Sequence, residues 1–131
     1  MAERADIATA IHIGKNVERL TLGENLFHGP IFEGTGISVF CIVTGGYFPT
    51  AILGNSGGVY KSSVDIRIRG DRNKYDEGLT LAKEIQEAVE FSSLGTDYIM
   101  ARVENSMPSY IGQNNNGDPE WVIFLVCTYK E

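Results

Sequence analysis

The chain has 131 residues, of which 17 are acidic and 11 basic, giving a formal charge of −6. With 43% hydrophobic and 21% charged residues it reads as one globular domain over 1–131, large enough to bury a core. Its negative charge repels phosphate, which argues against a protein that grips DNA or RNA but suits one that lets DNA slide past.

The start, Met1 to Asp6, is charged and leads into no unbroken apolar stretch, unlike a secretory signal. No apolar run approaches the ~18–20 residues of a bilayer span, so a protein made in a cytoplasm is expected. Residues 4–13 read as a short helix with Ile7, Ala10 and Ile11 on one side and Gly14 behind them. Residues 15–36 mix Val17, Leu20, Leu22, Leu26, Phe27, Ile31 and Phe32 with Gly23, Gly29, Pro30, Gly34 and Gly36. That composition predicts a packed, irregular connection rather than a linker.

Ile37 to Thr44 reads as a strand apolar on both faces, ended by Gly45-Gly46. Tyr47 to Gly58 then joins it to the next strand as a long loop that carries Tyr47, Phe48, Ile52 and Leu53. Large apolar side chains in such a loop point either to an interface or to a loop folded over its own core. In Val59 to Arg69, Val64, Ile66 and Ile68 alternate with Asp65, Arg67 and Arg69, the period of a strand with one buried face. Gly70 to Asn73 breaks that run. Asn73 stands where a helix N-cap belongs, followed by Asp76 and Glu77, and Tyr75, Leu79, Ala82, Ile85 and Val89 form an apolar stripe up to Gly95.

Tyr98 to Asn105 predicts a strand with Ile99, Ala101 and Val103 on one face, and Trp121 to Tyr129 a last strand apolar on both. Between them Ser106 to Pro119 reads as a polar, mobile arm centred on Gln113, Asn114, Asn115 and Asn116, with a turn at Asn116-Gly117. The order α-β-β-α-β-β predicts a single α+β domain, one antiparallel or mixed sheet with its helices mainly on one face.

Chemistry is hard to find. His12 and His28 have no metal-ligand spacing with each other or with Cys41 and Cys127. The two cysteines sit in apolar strand runs and read as buried, reduced thiols rather than a disulfide. Gly54 to Ser62 lacks the glycine before Lys61 and runs into a strand, so it is no phosphate loop. Arg69-Gly70-Asp71 is a strand end turning into a helix rather than a displayed adhesion tripeptide. Nothing calls for a catalytic group, a cofactor or a metal. Arg67 and Arg69 remain, either as a solvated face partnered by Asp65 or as an ion-pair patch for a neighbouring subunit.

The order of landmarks resembles the tail terminator and minor capsid, or head–tail joining, proteins of long-tailed bacteriophages. The resemblance rests on Leu22-Gly23-Glu24-Asn25-Leu26-Phe27, then Val43-Thr44-Gly45-Gly46, Val64 to Gly70, Tyr75 to Ile85, and Pro108 to Gly112. It spans about Ile7 to Tyr129 and departs from the family at Gln113 to Asn116, where acidic residues and arginines would be expected. What it implies is a non-enzymatic virion protein, assembled in the host cytoplasm. Six copies would form a ring on the head-proximal end of the tail tube, end its polymerisation and present the surface that joins the head. Its partners would be other copies of itself, the tail tube protein and a head-side connector or stopper, with DNA passing through the lumen unbound. The interface residues expected on that basis are Tyr47, Phe48, Ile52, Leu53, Arg67, Arg69, Tyr110, Gln113, Asn114, Asn115 and Asn116. The rival functions are another neck component, such as a head-completion or adaptor protein, and a small-molecule-binding regulatory domain.

Overall fold

The computed structural model describes residues 4–29, 36–46, 50–51, 58–95 and 98–130. Within them the chain forms α1 (Ala5–Asn16), β1 (Leu26–His28), β2 (Ser38–Gly46), β3 (Thr50–Ala51), β4 (Gly58–Arg69), α2 (Tyr75–Val89), β5 (Tyr98–Val103), β6 (Ser109–Gln113) and β7 (Pro119–Lys130). All the strands join one mixed sheet in the order β1-β2-β4-β7-β5, with β3 on β4 and β6 on β7. Only β1 is parallel to its neighbour; the remaining pairs are antiparallel. This is the single α+β domain that the sequence pattern predicts, enlarged by three short strands.

Both helices pack on one face. Alternation puts Val64, Ile66 and Ile68 of β4, Trp121, Ile123, Leu125 and Cys127 of β7, and Val39 and Cys41 of β2 on that side. There they meet Ala8, Ala10 and Ile13 of α1 and Leu81, Ala82, Ile85 and Val89 of α2. Cross-strand partners such as Ile66 with Ile123 and Cys41 with Ile66 lock the register, because a slip of one residue would turn every one of them to the other side.

Trp121 is the pivot of this core. It is wholly buried, with the rings of Tyr75 and Tyr110 at 5.3 and 5.6 Å. Gly78 lets α2 come down on it: a Cβ at Gly78 would lie 2.5 Å from two atoms of the indole. A glycine in mid-helix is normally a cost, and here the close approach explains it.

Several boundaries fall elsewhere than the pattern suggests. The first helix runs on through Gly14 to Asn16, whose side-chain amide donates to the His12 carbonyl at 2.8 Å. Asn73 does not cap α2. It takes a left-handed φ of 62° in a turn closed by the Lys74 amide on the Asp71 carbonyl, and the helix starts at Tyr75. The same helix stops at Val89, well before Gly95, because Glu90 is extended, Phe91 is left-handed at φ 56° and the Ser92 hydroxyl donates to the Val89 carbonyl. Ile99 is exposed rather than buried, since a bulge between Tyr98 and Met100 shifts the alternation. The irregular connection is shaped by Asn25, whose side chain accepts from the Thr21 amide and donates to the Arg19 carbonyl, just ahead of β1. Ile31 and Phe32 lie outside the described residues.

The largest correction concerns the polar arm. Residues 109–113 are a strand paired to β7, and the remaining turn is tied down rather than mobile. Asn114 Oδ1 accepts from the amides of Asn116 and Asp118 at 2.9 and 3.0 Å, and the Asn114 amide donates to the Asp118 carbonyl at 3.0 Å. Such a side-chain-to-backbone turn is one that asparagine makes well.

Candidate assembly surface

No described helix covers the second face of the sheet. Its rows follow from the register: Phe40, Arg67 and Val122; Ile42, Asp65 and Phe124; then Ser63, Val126 and Arg102. Part of the face is sealed by the chain's own side chains. Phe40 is buried under Phe27, stacked at 5.4 Å, and under the guanidinium of Arg69 at 5.8 Å from its ring centre. The rest is more open: Phe124 is 42% exposed and Ile42 and Val126 are half-buried, while Met100 is exposed further along the face, across from Thr128. The open part of the face thus interleaves apolar side chains with charge.

Of the three arginines on this face, Arg67 and Arg69 differ most. Arg69 is buried: its Nε donates to the Gly36 carbonyl and its Nη2 to the Ser38 hydroxyl, both at 3.0 Å. Its charge is committed to holding the start of β2 within its own chain. Arg67 is half-exposed between Phe40 and Val122 and, like the exposed Arg102 beside Val126, is turned outward on this face. No ion pair joins it to Asp65 among the described residues. Burial among apolar neighbours raises the Asp65 pKa above the usual carboxylate range, and the nearby Arg67 charge offsets part of that rise.

At the far end of β7 the structure gathers the other expected residues. Tyr110 is exposed, its ring edge-on to Tyr75 at 5.3 Å. Gln113, Asn114, Asn115 and Asn116 line a shallow polar concavity with Arg72, whose stem lies against Gly117. Tyr47, Phe48, Ile52 and Leu53 lie outside the described residues.

Two features escaped the sequence pattern. Asn105 fills the gap between β5 and β6: its Oδ1 accepts from the Phe124 amide at 3.1 Å and its Nδ2 donates to the Val122 carbonyl at 3.2 Å. A carboxamide thus stands in for a stretch of backbone along β7. Phe91 is 65% exposed, with the Arg102 guanidinium 5.9 Å from its ring centre. A lone Asn or Phe between elements gives no periodic signal, so neither could be picked out.

His12 and the two cysteines serve structure. His12 Nε2 donates to the Ala88 carbonyl at 2.8 Å and so ties α1 to the end of α2. Cys41 and Cys127 are free, buried thiols; burial pushes Cys127 up to about 11 and Cys41 up further, which leaves both as inert packing groups at neutral pH. Among the described residues no cluster of three or more His, Cys, Asp or Glu side chains could hold a metal, and no helix is long and apolar enough to cross a membrane. No known protein-family model matches the chain, and no curated protein sequence matches it significantly.

Proposed function

We propose that this chain is a non-enzymatic structural protein of a long-tailed bacteriophage virion, a tail terminator. Six copies form a ring on the head-proximal end of the tail tube, stop tube polymerisation and offer a surface to a head-side connector or stopper. The reading is supported by the order of the motifs from Leu22 to Gly112 and, above all, by one observation: the sheet spends one face on its own core and leaves the other, around Phe124, Ile42 and Arg67, open and partly apolar. A partly apolar open face suits a ring subunit, which has partners on several sides. The acidic charge lets DNA cross the lumen without adhering.

Electron microscopy of particles from a phage with this gene disrupted tests the proposal. Filled heads beside unattached tails of uncontrolled length are the expected result. Emptied heads beside tails of normal length would move the protein to a head-completion or adaptor role in the neck. Intact, infectious particles would overturn the reading.

A further inference from the structure

β5 and β6 lie one after the other along the same side of β7, and both are edge strands. The outer edge of β5 is already occupied. The Ala101 amide donates to the Ser92 carbonyl at 2.8 Å and the Val103 amide to Glu90 Oε1 at 3.3 Å, so the chain leaving α2 closes that edge. Nothing described pairs with the outer edge of β6. No charge blunts it, since there is no charged side chain between Glu104 and Asp118; what protects it is its shortness, Pro108 ahead of it and the bulge between Tyr110 and Gly112. Tyr110 and Ile111 are each 48% exposed, on opposite faces of the strand, and the Asn114 turn holds it firmly in place.

The opposite margin of the sheet has the same character. β1 pairs with β2 only as far as Cys41, so beyond it Ile42 to Gly46 have no described neighbour on the outer side. No charged side chain occurs between Glu33 and Lys61. Both of these segments, which have no described partner on their outer side, are also free of charge.

We infer that β6 of one copy adds to the free part of β2 of the next, joining neighbouring subunits through a continuous sheet. This inference rests on the ring reading above and names its lateral contact. Direction permits it: β6 is antiparallel to β7, β7 to β4 and β4 to β2, so β6 and β2 run oppositely. A rotation about a ring axis to which the strands are tilted keeps their sense, and the new pair is antiparallel. The two segments are displaced along the strands by about five residues, on the order of 17 Å at the usual rise. Strands tilted to the ring axis need a stagger of this kind, as they do in closed barrels. Such a contact is head-to-tail, the type that closes into a ring.

Sedimentation velocity on the full chain and two variants, Ile111→Lys and Val43→Lys, tests it. Both positions are solvent-exposed, and thermal melts verify that both variants fold. The wild type is expected to form higher oligomers as concentration rises, and each variant alone to remain a monomer. An equimolar mixture should give dimers and nothing larger, because each variant keeps one good edge. Higher oligomers of Ile111→Lys would overturn the β6 assignment while leaving a ring built through other surfaces intact. Dimers formed by Val43→Lys alone would replace the head-to-tail contact with a two-fold β6–β6 pair. A wild type that stays monomeric throughout would overturn the edge contact, while the terminator reading would still be decided by the particles of the disrupted phage.

Discussion

Ile66, Ile123 and Leu125 share two strands with Asp65, Arg67 and Phe124, yet the two sets live under different rules. The first set is fully buried and meets only apolar atoms. The second points away from the helices, mixes an acid, a base and an aromatic ring, and stays partly open to solvent. One face holds the domain together, and its tolerance for change is set by packing density. The other is buried only in part, at Phe40, Val122 and Arg69, and under the proposed function its exposed remainder carries contacts with other proteins.

Substitutions that cross this divide should have very different effects. Trp121→Ala empties the centre of the covered face and should cost about 3–5 kcal/mol of unfolding free energy in a denaturant titration. Gly78→Ala should come next. Alanine ordinarily helps a helix, but here its methyl runs into the indole of Trp121, so a net loss of about 1–3 kcal/mol is expected from overpacking. A gain in stability would show that α2 can shift on the sheet. Asn105→Ala removes the side-chain bonds to the Phe124 amide and the Val122 carbonyl, which water can partly replace, a cost of about 0.5–1.5 kcal/mol. It should also speed hydrogen exchange at the Phe124 amide specifically.

The smallest effect belongs to Asp65 on the open face. Its folded pKa is raised by burial, so the fold binds its proton more tightly than the unfolded chain does. The stability tied to that proton is complete below the unfolded pKa of about 4 and is lost as pH rises through the folded value. Asp65→Asn should therefore be slightly more stable than the parent at neutral pH, with the gap closing as pH falls below about 4. Melts at several pH values would check the sign.

The covered face was largely legible in the sequence. Val64, Ile66 and Ile68 announce it by strict alternation, and α2 by its recurring Leu79, Ala82, Ile85 and Val89. What misled was local chemistry with more than one solution. Asn73 satisfies the pattern of an N-cap equally well as a left-handed turn residue, and the structure uses the second. Gln113 to Asn116 suggest a mobile polar arm only until Asn114 is seen accepting two amides. Of the expected interface residues, Arg67 and Arg69 look equivalent by spacing. Only the position of Gly36 and Ser38 in space shows that Arg69 is spent inside its own chain. Period-two patterning tells which face a side chain takes, and cannot tell what waits there.

Phe124 and Leu125 are neighbours on β7 that face opposite ways, and together they test the division of the sheet most directly. The measurement is the unfolding free energy of Phe124→Ala and Leu125→Ala, together with the ability of each gene to restore infectious particles to the disrupted phage. Leu125→Ala should lose about 2–5 kcal/mol. Phe124→Ala should lose less than about 1 kcal/mol, as a partly exposed site does, and still fail to restore particles. A Phe124→Ala protein as unstable as Leu125→Ala, or one that supports normal particle yields, would contradict the view that this face is kept for partners.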